Sequence, residues 1–151
     1  MTITAFDLAQ RFVGVRELPG NQDNAFIHSF LALDGGDMHD EIAWCSAFVN
    51  YCAWLLRLPR SKSLAARSWL AVGTPVDLDQ AAVGFDVVVL KRGSGSPGPD
   101  VLNAPGHVGF FAGRQMVGER PYVAVLGGNQ GDSVKVSLFP AVDILGVRRL
   151  A

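Results

Sequence analysis

The chain has 151 residues, of which 49% are hydrophobic and 18% are charged. This composition supports one domain with a substantial core over 1–151, and it excludes wholesale disorder. The formal net charge of −1 argues against a dedicated nucleic-acid-binding protein, which would normally be clearly basic, and two cysteines are too few for a disulfide-rich scaffold.

The sequence predicts neither membrane insertion nor a secretory signal peptide. No run reaches the roughly 18 uninterrupted apolar residues that a membrane helix needs. Residues 1–18 lack a basic start, and Asp7 and Arg11 interrupt their apolar positions. We therefore expect synthesis in the cytoplasm, so that any work outside it would need a separate export route.

The first half of the chain has the apolar spacing of helices. Thr4 and Asp7 are placed like a capping box in front of a short helix, and a second helical stretch covers 26–33. The segment 42–56 is apolar almost all the way round, which predicts a buried central helix. A shorter helix is predicted at 64–70.

From about residue 85 onward, the apolar pattern becomes that of strands. The strand-like runs are 85–91, 107–112, 122–127, 133–139 and 144–149. A loop rich in glycine, proline and serine joins the first two runs. Helices followed by neighbouring strands predict an α+β fold with an antiparallel sheet.

The two cysteines lie on the predicted central helix but cannot be bonded to each other. Cys45 and Cys52 are two helical turns apart, which places their Cα atoms about 10 Å apart, whereas a disulfide needs them within roughly 7 Å. Cys52 has the position of a small buried hydrophobic residue. Cys45 is near the start of the helix, where free N–H groups and the helix dipole would lower the pKa of its thiol.

A nucleophilic thiol needs a base, and His107 is the best placed of the three histidines because it opens a predicted strand. We expect His28 and His39 to be surface residues. If the strands 107–112 and 122–127 pair around a turn near residue 117, Asn129 lies beside His107 and can orient the imidazole. Gln130 is the reserve candidate for this role, and taken by itself the segment is better explained by simple turn chemistry.

Four segments in chain order carry a family resemblance. They are Trp44-Cys45-Ser46-Ala47-Phe48-Val49-Asn50, Ala66-Arg67-Ser68-Trp69, Gly106-His107-Val108-Gly109-Phe110-Phe111 and Leu126-Gly127-Gly128-Asn129-Gln130. In this order they resemble the phage-type CHAP/NlpC-like cysteine peptidases, which are papain-like amidohydrolases that cleave the peptide part of bacterial peptidoglycan. The resemblance extends over nearly the whole chain.

The resemblance implies a papain-like fold, in which N-terminal helices pack on a C-terminal antiparallel β-sheet and the nucleophile is near the start of a buried helix. It implies Cys45 as nucleophile, His107 as general base and Asn129 as the orienting residue. Trp44, Arg67, Trp69 and Gln130 are candidates for binding substrate. Core packing of the two tryptophans and an ordinary surface pairing of Arg67 are the alternatives.

The implied function is an endolysin-like peptidoglycan hydrolase of the cysteine peptidase or N-acetylmuramoyl-L-alanine amidase type. We expect a monomer that acts in the periplasm or cell wall after a phage holin opens the membrane. Alternatives are an amidase effector delivered by a secretion system, a non-catalytic module of a phage tail or secretion apparatus, and an acyltransferase that uses the same thiol. No nucleic-acid partner or membrane insertion is expected.

An acidic cluster precedes the central helix. The segment Asp34–Glu41 resembles the calcium loops that some CHAP domains carry upstream of the cysteine. Its spacing does not match a regular calcium loop. We therefore expect a solvated approach to the helix, and no cofactor.

Overall fold

The computed structural model describes residues 1–19, 23–35, 43–93 and 95–151. Within these ranges the α-helices are α1 (Ala5–Gln10), α2 (Ala25–Ala32) and α3 (Cys45–Leu55). The strands are β1 (Thr74–Val76), β2 (Asp86–Lys91), β3 (Gly106–Val117), β4 (Arg120–Gln130), β5 (Ser133–Pro140) and β6 (Ile144–Arg149). Short 3-10 helices cover Ala66–Ala71, Leu78–Gln80 and Ala141–Asp143.

The six strands form one antiparallel sheet in the order β1-β6-β2-β3-β4-β5. This confirms the predicted α+β class. Strands β3 and β4 make a long hairpin whose last pair is Val117 with Arg120, so the turn lies at 118–119, close to the predicted position. Strand β1 was not predicted, because it has three residues and contains Pro75, which is tolerated on this edge strand.

Local sequence signals set the helix boundaries. The Thr4 hydroxyl accepts a hydrogen bond from the Asp7 N–H at 3.1 Å, and the Asp7 carboxylate accepts one from the Thr4 N–H at 2.9 Å, which confirms the predicted capping box. Asn24 caps α2 by accepting a 2.8 Å hydrogen bond from the Phe26 N–H. The helix predicted at 64–70 is instead the 3-10 helix Ala66–Ala71.

Helices α1 and α3 pack against β3 and β4 of the sheet, and α2 packs against α3. An aromatic cluster joins the helices: Phe12 packs edge-on against Phe30 and Phe48, with ring centroids 5.4 and 5.9 Å apart. Phe48 and most other residues of α3 are buried, as the pattern predicted. This packing holds the start of α3 against the centre of the sheet. No helix in the described ranges is both long and apolar enough to cross a membrane.

Candidate active site

The thiol of Cys45 lies at the junction of α3 and β3. Cys45 is the first residue of α3. It is buried, with 3% of the residue exposed. The backbone N–H groups of Cys45, Ser46 and Val108 donate hydrogen bonds toward the sulfur. Val108 directly follows His107 on β3, so the thiol lies beside the strand segment that carries the histidine. Cys45 and Cys52 are both free thiols, as predicted.

A buried polar network fixes the first turn of α3. The Trp69 indole N–H donates to the Ser46 hydroxyl at 2.9 Å, and that hydroxyl donates to the Ser63 carbonyl at 2.5 Å. Asn50, one turn further along α3, accepts a 3.0 Å hydrogen bond from the Lys62 N–H. All of these contacts tie the helix to the segment that follows it, which orients the Cys45 thiol.

The two tryptophans of the resemblance do not line a substrate cleft. Trp44 and Trp69 are both fully buried. The Trp44 indole N–H donates to the Glu17 carboxylate at 2.8 Å, and a Cβ added to Gly128 would lie 2.5 Å from the Trp44 ring. The expectation that these rings bind substrate is therefore wrong, because they pack inside the protein and position α3 against β4.

The imidazole of His107 is buried and is held on three sides. Its ring stacks on Phe139, with ring centroids 5.2 Å apart. Its Nε2 lies 2.8 Å from Gln130 Oε1, and its Nδ1 lies 3.3 Å from Arg92 Nη2. His107 pairs with Leu90 across the β2–β3 ladder, and Arg92 is two residues beyond Leu90 on the same side of the chain.

The contacts of Gln130 determine the tautomer of His107. The Gln130 amide nitrogen donates to the Val125 carbonyl at 3.1 Å and to the Lys135 carbonyl at 2.7 Å. Its oxygen therefore faces the ring and accepts a hydrogen bond from the Nε2–H group. Arg92 leads to the same tautomer, because a guanidinium can only donate, so Nδ1 must be the acceptor. Nδ1 is thus the atom of His107 whose lone pair can accept a proton.

The orienting residue is Gln130 and not Asn129. Along the β4–β5 ladder, Gly127 pairs with Lys135, but the next pair is Gln130 with Ser133, so β4 contains one extra residue there. Asn129 lies in this bulge with a left-handed φ of 58°. Because one extra residue reverses the side of the strand to which later side chains point, Gln130 faces His107. The resemblance also suggested Gln130 as a substrate-binding residue. This expectation is wrong, because the Gln130 side chain is already hydrogen-bonded to His107 and to two backbone carbonyls.

Gly127, which the sequence pattern places in a turn, is required by this arrangement. A Cβ added there would lie 2.5 Å from Gln130 Oε1 and 3.3 Å from His107 Nε2. The glycine therefore leaves the space in which the hydrogen bond between Gln130 and His107 forms.

We expect Gln130→Ala to lower the rate of any reaction that uses His107 as its base about 100-fold, because the imidazole loses the partner that fixes its tautomer. Asn129→Ala is the matched control and is expected to keep a rate close to that of the wild type. Initial rates of the reaction that depends on Cys45 measure both. A larger loss in Asn129→Ala than in Gln130→Ala would contradict the assignment.

Burial is the largest influence on the pKa values of Cys45 and His107. It raises the pKa of the Cys45 thiol, although the Val108 N–H, the Arg92 charge and the Ser46 N–H act in the opposite direction. The expectation that the helix start gives Cys45 a lowered pKa is therefore wrong. Burial lowers the pKa of His107 to about 4; the hydrogen bond that His107 donates to Gln130 opposes this shift, and the Arg92 charge adds to it. Burial also raises the pKa of Cys52. At neutral pH the resting site holds a neutral thiol and a neutral imidazole.

The lowered pKa of His107 predicts a pH dependence of stability. Between its unfolded value of 6.5 and about 4, the unfolded chain binds a proton that the folded protein does not. The contribution of His107 to the free energy of unfolding is therefore fully present above pH 6.5. It decreases by roughly 3 kcal/mol as the pH falls toward 4. Urea unfolding across this range should show a shallower decrease for His107→Gln than for the wild type. The exposed His28, replaced by Gln, is the control and should retain the wild-type slope.

Arg67 is a structural residue and does not bind substrate. It is fully buried, and each of its five N–H groups has a neutral acceptor in the loop that leads to β3. The acceptors are the carbonyls of Pro105, Gly98, Val101 and Pro97 and the hydroxyl of Ser96, at 2.8 to 3.0 Å. With all five donors used, Arg67 has none left for a substrate carboxylate.

The acidic cluster can be followed only in part. Asp34 forms an ion pair with Arg60 at 3.1 Å, while 36–42, with His39 and the remaining acidic residues, lie outside the described residues. In the described ranges, no group of three or more His, Cys, Asp or Glu side chains is arranged to hold a metal ion.

A cysteine at the start of a buried helix, packed against an antiparallel sheet that carries the histidine, is the arrangement of papain-like folds. No protein-family model matches the sequence, and comparison with curated proteins gives no match. Among solved structures, NlpC1 from Trichomonas vaginalis is similar, with a TM-score of 0.55 and 16% sequence identity over 97% of this chain. This likeness shows that the chain has an NlpC-like fold. The chain spans 42% of the length of that protein.

Proposed function

We propose that this protein is a cysteine hydrolase that cleaves an amide or peptide bond in the stem peptide of peptidoglycan. The observation that carries the proposal is the position of the Cys45 thiol against the strand segment of His107, whose Nδ1 lone pair is fixed by Gln130. The NlpC-like fold supports a cysteine peptidase or amidase over other thiol chemistry.

The reaction follows from the two side chains. His107 Nδ1 takes the proton of the Cys45 thiol as the sulfur attacks the carbonyl carbon of the substrate. The amine leaves with the proton from His107, and a water molecule, deprotonated by the same nitrogen, hydrolyses the thioester. Gln130 keeps the Nε2 proton in place throughout. Assistance of this kind typically contributes 10²- to 10⁴-fold to the rate.

The developing oxyanion needs hydrogen-bond donors, and backbone N–H groups are available at the thiol. Those of Ser46 and Val108 already point toward the sulfur. Donors of this type stabilise a tetrahedral intermediate because they are fixed before the charge forms. We assign these groups to the oxyanion site.

Digestion of purified sacculi tests the proposal directly. The wild type is expected to release peptide-containing fragments, and mass spectrometry of their ends identifies whether the sugar–peptide amide, a bond within the stem or a cross-link is cut. No soluble fragments from intact or partly digested sacculi would overturn the proposed function.

We further propose the endolysin-like role, in which a cytoplasmic product reaches the wall through a holin lesion. Delivery by a secretion system is the alternative. Expression of the chain in the cytoplasm of a Gram-negative host, with and without a co-expressed holin, tests this role. Lysis that requires the holin supports it, whereas lysis upon contact with a neighbouring producer cell favours the delivered effector.

A non-catalytic module of a phage tail or secretion apparatus is a second candidate, and one observation favours it. Cys45 is 3% exposed and His107 is 1% exposed, and burial raises the pKa of the thiol. Such a thiol is nearly inert unless the site opens. Absence of cleavage, together with stable binding to sacculi, would favour the module over the enzyme.

A further inference from the structure

We propose that Arg92 is the carboxylate receptor of this site, and that in the free protein it covers the lone pair of the catalytic base. A carboxylate on the incoming peptide would pair with the guanidinium, remove it from His107 and leave Nδ1 free to accept the thiol proton. This inference rests on the proposed function and names the chemical group by which the site recognises its substrate.

The fold brings Arg92 to His107 from the neighbouring strand β2. Arg92 directly follows β2, and the antiparallel register places it diagonally across from His107 on β3. Arg92 is an exposed residue, yet its Nη2 lies 3.3 Å from His107 Nδ1. Its positive charge also acts on the Cys45 thiol. One guanidinium therefore contacts His107 from the surface, and its charge acts on the thiol of Cys45.

The contact between Arg92 and His107 blocks catalysis as it stands. Because the Nε2 proton of His107 is committed to Gln130, Nδ1 offers the lone pair that the thiol proton needs. Arg92 donates to that lone pair. The base can work only after this donor moves away.

The same contact is a weak one for an arginine. A distance of 3.3 Å is beyond the usual 2.7–3.2 Å of an N–H hydrogen bond, and the acceptor is a neutral ring. Within the ranges the structure describes, no carboxylate forms an ion pair with Arg92. A carboxylate accepts two parallel hydrogen bonds from a guanidinium and carries the opposite charge, so it is the stronger partner.

Alkylation of Cys45 by two reagents of different charge tests the receptor. Iodoacetate carries a carboxylate, and iodoacetamide is its neutral analogue. The ratio of their rate constants at one pH cancels the ionisation of the thiol and the opening of the site, because both reagents attack the same thiolate. We expect this ratio to be about fivefold higher in the wild type than in Arg92→Gln, since one nearby positive charge is lost.

Lys91→Gln is the matched control, because it removes a positive charge from the adjacent residue, which points to the opposite side of β2. Its ratio is expected to remain close to that of the wild type. Rates are read by mass spectrometry in a Cys52→Ala background, so that Cys45 is the labelled thiol.

Equal ratios in the wild type and Arg92→Gln would overturn the receptor, as would an equal loss in Lys91→Gln, which would indicate a general surface charge effect. Failure of iodoacetate to label Cys45 would also overturn it, because a carboxylate must reach the receptor. Failure of the wild type to digest sacculi, with the ratio as expected, would instead reject the proposed function and leave the carboxylate receptor in place.

Discussion

Cys45→Ala will abolish the release of fragments from sacculi and leave the fold intact. The substitution removes the atom that forms the acyl-enzyme, and losses of about 10⁴-fold or more are typical when a nucleophile is deleted. The alanine adds no atoms to the start of α3, and the network of Ser46 and Trp69 that holds this turn does not involve the sulfur. Initial rates and thermal unfolding of both proteins measure the two effects.

Cys52→Ala is the control for this experiment. Cys52 is fully buried in the helix–sheet core, and burial raises the pKa of its thiol. The variant should keep its activity and lose a modest amount of stability through the small cavity, about 1 kcal/mol. Activity that survives in Cys45→Ala but is lost in Cys52→Ala would mean that the other thiol is the nucleophile.

The fold could be predicted from the sequence because the spacing of apolar residues indicates which side of each helix or strand is buried. The fully apolar pattern of α3 and the runs that became β2 to β6 each reflect packing against a neighbour. The antiparallel hairpin of β3 and β4 then followed from the predicted turn near residue 117, which lies at 118–119 in the structure. Strand β1 is too short to have a period of its own, and its pairing with β6 is a long-range contact.

The site could be predicted only as far as local signals extend. Cys45 and His107 stand at the start of a helix and of a strand, positions that the pattern locates. The choice between Asn129 and Gln130 depends on one extra residue in β4, and a bulge of this kind leaves no periodic signal. Arg92 is brought to His107 by the β2–β3 register, which no local pattern contains.

The effects of burial on the pKa values of Cys45 and His107 could not be predicted from the sequence either. The start of α3 does supply N–H groups to the thiol, but the sequence could not show that burial outweighs them. The same burial lowers the pKa of His107. The resting pair is therefore neutral. Under the proposed mechanism, His107 takes the thiol proton once the Arg92 guanidinium is displaced from Nδ1.

Arg67→Ala is expected to lower the free energy of unfolding by about 3–5 kcal/mol, one of the largest effects available to a single substitution here. The change leaves the carbonyls of the 95–105 loop without their donor and opens a cavity beside Gly106, where an added Cβ would lie 3.0 Å from the Arg67 side chain. Arg67→Lys should recover only a small part, because one ammonium cannot reach five acceptors that fit a planar guanidinium. Urea unfolding measures both variants.

Arg120→Ala is the matched control, since this arginine is exposed at the start of β4 and its removal should change stability by no more than about 0.5 kcal/mol. Hydrogen exchange adds a local test. Because Arg67 holds the loop that enters β3, Arg67→Lys should exchange faster at 106–108 than the wild type, while α1 stays protected. A loss of stability without faster exchange at 106–108 would mean that Arg67 supports the core but does not position His107. The buried arginine would then have no part in the site, and the loop would owe its shape to its own prolines and glycines.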